Sequence, residues 1–378
     1  MRKLEALFAN IKATTRVLLL RHGESTFNEQ QRCQGSSDES ILTERGMVTA
    51  LRSGRYLKRE LPHVILASPL QRAYQTAEII RTELGSGVTL ECHDLLKEVH
   101  LAQWEGLTFA AIRATFSGDY RTWNEHPHEL CMRRSGSAGD DFKPILDLYG
   151  RAAEFWYGVL PRYAGKKLLV VSHGGMTRAL IGSALGLAAS LYHRTQQSNG
   201  GLSILEFGRV HSGARIEALN VTGHLHSRLP KLKEGRQGVR LILIPLNHAD
   251  SRQLIDHLKP DFVTPPPAWA ISKHFSEGTL RNGVMLGAMG SLLPVLLAAA
   301  GVPWADRKRW NMSQNHISVI HYPQRDANGV LQAFNIPISA FNALKTDEES
   351  QEGSVASPVL RHNIAIYNSR RTNERSLV

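Results

Sequence analysis

An α/β fold built as a layered sandwich is predicted for this 378-residue chain by three observations. Short apolar runs rich in branched residues, such as Val17-Leu18-Leu19-Leu20 and Leu168-Leu169-Val170-Val171, read as buried parallel strands. They alternate with longer segments of helical character, the pattern of βα units around a sheet. Both runs lead into histidine and glycine, Arg21-His22-Gly23 and His173-Gly174-Gly175, at the strand ends where open α/β sheets place their sites.

After the first strand, Val17–Leu20, Thr43 reads as an N-cap for a helix to about Leu61, with Glu44 in its first turn. A strand is predicted at Val64–Ala67, and Ser68-Pro69 then opens a helix through Ile80 that carries Arg72. Glu91–His93 reads as a further strand, and Leu107 to Lys143 as irregular and rich in Trp, His and Arg. A helix follows over Pro144–Tyr163, then the strand Leu168–Ser172 and a helix to about Leu187. Leu202–Phe207 and Arg215–Leu219 read as closing strands.

A net charge of +11 suits anionic partners, but no nucleic-acid motif accompanies it, so a phosphorylated small molecule fits as well. Cys33, Cys92 and Cys131 are too few and scattered for a disulfide framework or a zinc site, which points to a reducing cytoplasm. Met1–Arg16 reads as a ragged amphipathic helix rather than a secretory signal. Val284–Val302 is uncharged and approaches the membrane-spanning length of about 20 residues. It also holds Pro294 and several glycines, and a buried helix in a soluble core is the expectation, with no membrane partner.

An internal echo supports that expectation. Ser198-Asn199-Gly200-Gly201-Leu202-Ser203 resembles Ser313-Gln314-Asn315-His316-Ile317-Ser318 at an offset of 115 (313 − 198). Leu219-Asn220 matches Phe334-Asn335 at the same offset (335 − 220 = 115), and Ala288 falls opposite His173. Leu241-Ile242-Leu243-Ile244 resembles the first strand but leads into Pro245-Leu246-Asn247. The predicted organisation is a catalytic domain over residues 15–225 and a degenerate, repeat-like α/β region over 235–345. The latter would complete a core, form a homodimer interface or gate the site. A polar tail, expected to be disordered, covers 346–378.

The strand-end residues carry the chemistry. A neutral histidine held in one tautomer can attack phosphorus, and adjacent arginines bind phosphate oxygens in a bidentate way. Arg21, His22, Arg72 and His173 can converge on one crevice, and Glu98 is the candidate general acid for the leaving alkoxide. Taken singly, Arg72 reads as a helix-face charge and Glu98 as a solvated carboxylate. Their combination in this order is what carries the reading.

With these residues in view, the segment from about Val17 to Leu225 resembles the histidine phosphatase superfamily, in its phosphoglycerate mutase-like branch. The motifs are Arg21-His22-Gly23-Glu24-Ser25-Thr26-Phe27-Asn28, Gln34-Gly35, Leu42-Thr43-Glu44-Arg45-Gly46, Ser68-Pro69-Leu70-Gln71-Arg72, Trp104-Glu105-Gly106 and Ser172-His173-Gly174-Gly175. The resemblance implies a three-layer α/β/α sandwich and His22 as the phosphorylated nucleophile. It also implies a phosphate pocket of Arg21, Arg72 and His173, assisted by Asn28, Gln34, Gly35 and Gly174. Glu98 would be the proton donor, and no metal or other cofactor is implied.

Phe27 departs from the commoner Trp, and the insert keeps only Gly136-Ser137 of the usual Gly-Glu-Ser, which bears on substrate choice. The expected activity is hydrolysis of a small phosphomonoester. Phosphoserine, a phosphoglycerate, a sugar phosphate and 2-carboxyarabinitol 1-phosphate remain open as substrates. Mutase-type phosphoryl transfer and a regulatory protein with a vestigial site are the alternatives.

Overall fold

A computed structural model describes residue 7 and residues 13–85, 87–133, 141–208, 213–227, 229–232, 237–246, 251–324 and 328–339. Most of the expected N-terminal helix falls outside the described residues, and its expected end, Thr15-Arg16, is instead the start of a strand; the expected tail 346–378 and Gly136-Ser137 also lie outside.

The first strands are β1 (Thr15–Arg21), β2 (Val64–Ala67) and β3 (Thr89–Cys92). Between them run α1 (Glu44–Leu57) and α2 (Gln71–Leu84). Thr43 caps α1, its side chain accepting from Gly46 N. Residues 107–143, read as irregular, instead hold α3 (Phe109–Thr115), α4 (Ser117–Glu125) and the small hairpin β4 (Met132–Arg133) and β5 (Asp141–Phe142). The helices were missed because α3 and α4 are short and α4 buries no residue, so no apolar stripe marks it. Then come α5 (Pro144–Arg162), β6 (Lys167–Ser172), α6 (Gly174–Leu185), β7 (Leu202–Gly208) and β8 (Gly213–Val221).

The sheet is flanked on both faces because β1 alternates. Val17 and Leu19 join the core formed with Phe155, Trp156 and Leu180 of α5 and α6. Leu18 and Leu20 pack with Leu57, Ala77 and Ile80 of α1 and α2. β1 and β2 both run parallel to β6, so the carboxyl ends of all three open on one edge.

The remaining elements are β9 (Gly238–Pro245), α7 (Ser251–Leu258), β10 (Phe262–Thr264), β11 (Leu280–Gly287), α8 (Met289–Ala300), β12 (His316–Tyr322) and β13 (Val330–Pro337). The uncharged run 284–302 is therefore not one helix. Its first residues finish β11, and only 289–300 are helical. No helix among the described residues is long and apolar enough to cross a membrane.

All strands but the hairpin form one eleven-stranded sheet, ordered β10-β11-β9-β12-β13-β8-β7-β1-β6-β2-β3. Read outward from the β13–β8 junction, the two sides match: β13-β12-β9-β11-β10 against β8-β7-β1-β6-β2. At the junction Phe334 pairs with Leu219, two positions that the 115-residue offset makes equivalent. The bridges Thr195–Leu331 and Ile216–Trp310 exchange under the same offset. So do the bonds from Asn220 Nδ2 to Gln332 O (2.7 Å) and from Asn335 Nδ2 to Glu217 O (2.9 Å). This is local pseudo-two-fold symmetry within one chain.

Candidate active site

The predicted residues come together at the carboxyl edge of β1, β2 and β6. The rings of His22 and His173, which follow β1 and β6, lie 5.2 Å apart between centroids, and both side chains are buried. His22 Nδ1 is 2.6 Å from Gly23 O; an N–H donated there leaves Nε2 as the nitrogen with the lone pair. His173 Nε2 is 2.8 Å from Ser68 Oγ. Ser68 Oγ accepts from Leu70 N, so its hydroxyl can donate to Nε2 and keep Nδ1 protonated. Burial, then the charges of Arg72, His22 and Arg21, hold the His173 pKa well below the usual value for histidine.

Arg72, in the first turn of α2, donates to Ser37 O (2.7 Å) and Gly35 O (2.9 Å). This ties it to the Gln34-Gly35 segment. Gly35 has φ +49°, and a Cβ there would lie 2.2 Å from the Glu105 carboxylate, so the turn demands glycine. Arg21 Nη1 donates to Gln197 O (3.0 Å), and its guanidinium lies over Gly174, where a Cβ would stand 3.2 Å from Nε. Burial pulls both arginine pKa values down to about 10, which leaves them charged at neutral pH. Arg21 Nε, Arg72 Nε and His173 Nδ1 are buried and make no hydrogen bond. Buried donors of this kind are what a multidentate anion would satisfy.

Glu98 sits on the N-terminus of α6. Its carboxylate accepts from Gly175 N, Met176 N and Val99 N, each at 2.9 Å. Oε1 accepts two of these bonds and Oε2 one, which leaves Oε2 a lone pair that can carry the proton to be donated. Asn28 Oδ1 accepts from Asn199 Nδ2 (2.9 Å) and lies 3.0 Å from Ser25 Oγ; Gln34 Oε1 lies 2.9 Å from the same hydroxyl. Their side chains can therefore reach an anion through their amide nitrogens. Cys33 is buried, which pushes its thiol up to about 12 and marks it as a packing residue.

Several supporting residues were not read from the sequence as part of the site. Arg151 on α5 holds the segment before Glu98 through Lys97 O (2.7 Å) and Glu98 O (3.0 Å). Thr76 accepts from Gly23 N (3.1 Å). Asn199 donates to His22 O (3.2 Å) and Gly23 O (3.1 Å). Its signal was visible, since Ser198-Asn199-Gly200-Gly201 stood out, but as a repeat rather than as a clamp on the site.

A profile described as the histidine phosphatase superfamily (branch 1) matches residues 17–222. The chain is 36% identical over 211 residues to a probable 2-carboxy-D-arabinitol-1-phosphatase of Arabidopsis thaliana, covering 56% of this chain and 42% of that protein. It is 33% identical over 192 residues to the 2-carboxy-D-arabinitol-1-phosphatase of Triticum aestivum, covering 51% of this chain and 37% of that protein. It is 30% identical over 212 residues to phosphoserine phosphatase 1 of Hydrogenobacter thermophilus, covering 56% of this chain and 94% of that protein. The match thus spans about two fifths of each plant protein and nearly all of the bacterial one.

Proposed function

This chain belongs to the histidine phosphatase superfamily (branch 1), and from that membership we propose that it hydrolyses small phosphomonoesters through a phosphohistidine on His22. The observation that carries the reading is the ring pair His22–His173 beside two buried guanidinium groups whose Nε donors are unmatched. The named relatives act on phosphate esters that also bear a carboxylate, 2-carboxyarabinitol 1-phosphate and phosphoserine.

In the proposed reaction His22 Nε2 attacks phosphorus in line while its Nδ1–H stays on Gly23 O. The ester P–O bond breaks, and Glu98 protonates the leaving alkoxide. Water then attacks the phosphohistidine and gives its proton to Glu98, which returns inorganic phosphate and neutral His22. Arg21, Arg72 and His173 hold the equatorial oxygens in both steps, so fixed donors supply most of the stabilisation as charge moves. In the same reading residues 235–345 are a second copy of the sheet unit without chemistry, since Ala288 stands where His173 does.

The test is phosphate release from a panel of phosphoserine, 3-phosphoglycerate, sugar phosphates and 2-carboxyarabinitol 1-phosphate, by wild type and His22→Ala, without added metal. Release by wild type alone supports the proposal. Equal release by both variants contradicts it. Release that requires a bisphosphate primer moves the assignment to mutase-type transfer.

A further inference from the structure

Arg178 has no role in the reaction just described, and its surroundings are unusual. It lies in the second turn of α6, whose N-terminus carries Glu98. Helix side chains lean toward the N-terminus of their own helix, so the Arg178 side chain runs back toward Gly175 and the site. Its guanidinium carbon stands 5.2 Å from the Tyr192 ring centroid. The Tyr192 hydroxyl and Glu98 Oε1 close over Gly175 together: a Cβ there would lie 2.5 Å and 2.4 Å from them. The Arg178 charge is felt at Arg21, where it helps to lower the guanidinium pKa.

Other half-buried arginines of this half are neutralised or spent on carbonyls. Arg16 pairs with Glu60, Glu206 and Glu217, Arg215 with Glu206, and Arg151 with Asp147 and three carbonyls. Among the described residues no carboxylate lies within ion-pair range of Arg178. Its Nε is buried without a hydrogen bond, Nη1 makes a 3.4 Å contact with His193 Nδ1, and the guanidinium hydrogen-bonds the neutral Tyr192 hydroxyl, which brings no negative charge. Burial, followed by the Arg178 charge, lowers the His193 pKa to about 3, so the histidine contact brings no compensating negative charge. A half-buried guanidinium without a counter-charge, one turn along the helix whose N-terminus closes a site with two further arginines, suits a second anionic group on the same ligand.

We propose that Arg178, backed by the Tyr192 ring, binds a carboxylate of the ester, so that the site selects phosphorylated hydroxy acids. The inference rests on the phosphomonoesterase reading and names its substrate class. It predicts that carboxylate-free esters bind the phosphate pocket alone.

Equilibrium binding to His22→Ala protein, where turnover cannot interfere, tests it with a matched pair. 3-Phosphoglycerate and glycerol 3-phosphate differ only by a carboxylate in place of a hydroxymethyl group. Calorimetry should show the acid bound about 10- to 100-fold more tightly, the range of one charge-assisted hydrogen-bonded pair. Adding Arg178→Gln should bring that ratio close to 1. Arg178→Lys, which keeps charge without the fork and preserves packing if the glutamine variant fails to fold, should leave an intermediate ratio.

A ratio near 1 in the parent protein overturns the inference. So does a ratio that Arg178→Gln leaves unchanged, or equal weakening of both esters, which would mark Arg178 as purely structural. Should wild type release phosphate from neither ester while the ratio still depends on Arg178, the hydrolase reading fails and the subsite stands.

Discussion

The carboxyl edge of β6 carries His173, and the matching edge of β11 carries Ala288; the backbone at the two positions is alike, but His173 is fully buried and Ala288 is exposed. Each is the N-cap of a twelve-residue helix, α6 or α8. Both helices end on a left-handed glycine, Gly186 (φ 74°) and Gly301 (φ 70°). Asn220 and Asn335 share φ near +52°, and their Oδ1 atoms accept from Ser198 N (2.7 Å) and Ser313 N (3.1 Å). What differs is chemistry. The first half ends its strands in Arg21-His22 and His173, the second in Pro245-Leu246 and Ala288. The lesson is that backbone-directed asparagines, cap glycines and apolar alternation maintain a sheet unit, whereas the proposed catalytic capacity rests on a handful of side chains at one edge.

The halves also touch through the site. The segment 195–201 donates from Gln196 N to Leu331 O (3.0 Å) on one side. On the other, Gln197 O receives Arg21 Nη1, and Asn199 holds the His22 and Gly23 carbonyls. Gln332 Nε2 donates to Gln196 Oε1 (3.0 Å), and Arg240 Nε donates to Gln332 Oε1 (2.9 Å). The second half thus braces the loop that holds the Arg21 guanidinium and the His22 and Gly23 carbonyls of the first half.

The comparison can be broken most sharply at His22. His22→Ala is expected to lower kcat by roughly 10³-fold or more, the loss typical when a nucleophile that begins covalent catalysis is removed. Residual turnover close to wild type would mean that the first half's strand ends do not carry the reaction. Arg72→Lys keeps the charge but cannot hold Gly35 O and Ser37 O while presenting a fork. Steady-state kinetics should show kcat/KM down by about 10²-fold, and an unchanged value would remove Arg72 from the pocket.

Gln332→Leu tests the brace. It strands the Gln196 Oε1 acceptor and the Arg240 Nε donor, so chemical denaturation should show a loss of roughly 1–3 kcal/mol. Kinetics should show a several-fold fall in kcat with KM little changed. Lost stability with unaltered kcat would confine the second half to a structural role.

The histidines lowered furthest all belong to the first half: His173 well below its ordinary value, His193 to about 3 and His224 to about 4, each chiefly by burial. Their folded forms resist protonation, so the unfolded chain binds more protons as pH falls below about 6.5. Stability should therefore be fully present above that value, decline as pH falls through the range from 6.5 to 3, and level off below the folded values. Urea titrations across this range check it; a flat profile contradicts the burial of these rings. The smallest effect is expected at Ala288→Ser. A hydroxyl at this extended N-cap should add up to about 1 kcal/mol of stability without altering kcat, and a collapse of kcat would refute a chemically inert second half.

Much of the fold was legible because strands such as Val64–Ala67 are fully apolar and bounded by polar residues. The helix start at Thr43 was legible because a cap is a local signal. The insert was not, because α4 buries no residue and the two-residue strands of its hairpin are too short to show a period. At the site, the structure brings the motif residues together, but their supports do not show in the sequence. Arg151 and Asn199 matter through contacts to residues 53 to 177 positions away, and Arg178 through Tyr192 and His193 on another segment, and no spacing rule encodes either.

The central claim is that one half of a two-fold-like chain carries the chemistry, on His22. The direct measurement is the stoichiometry and position of phosphoryl label after rapid quenching with a radiolabelled ester that wild type hydrolyses. At most one acid-labile, base-stable phosphate per chain, located on His22 and absent from His22→Ala, is the result the account predicts. Label on another residue, or label that survives in His22→Ala, would contradict it.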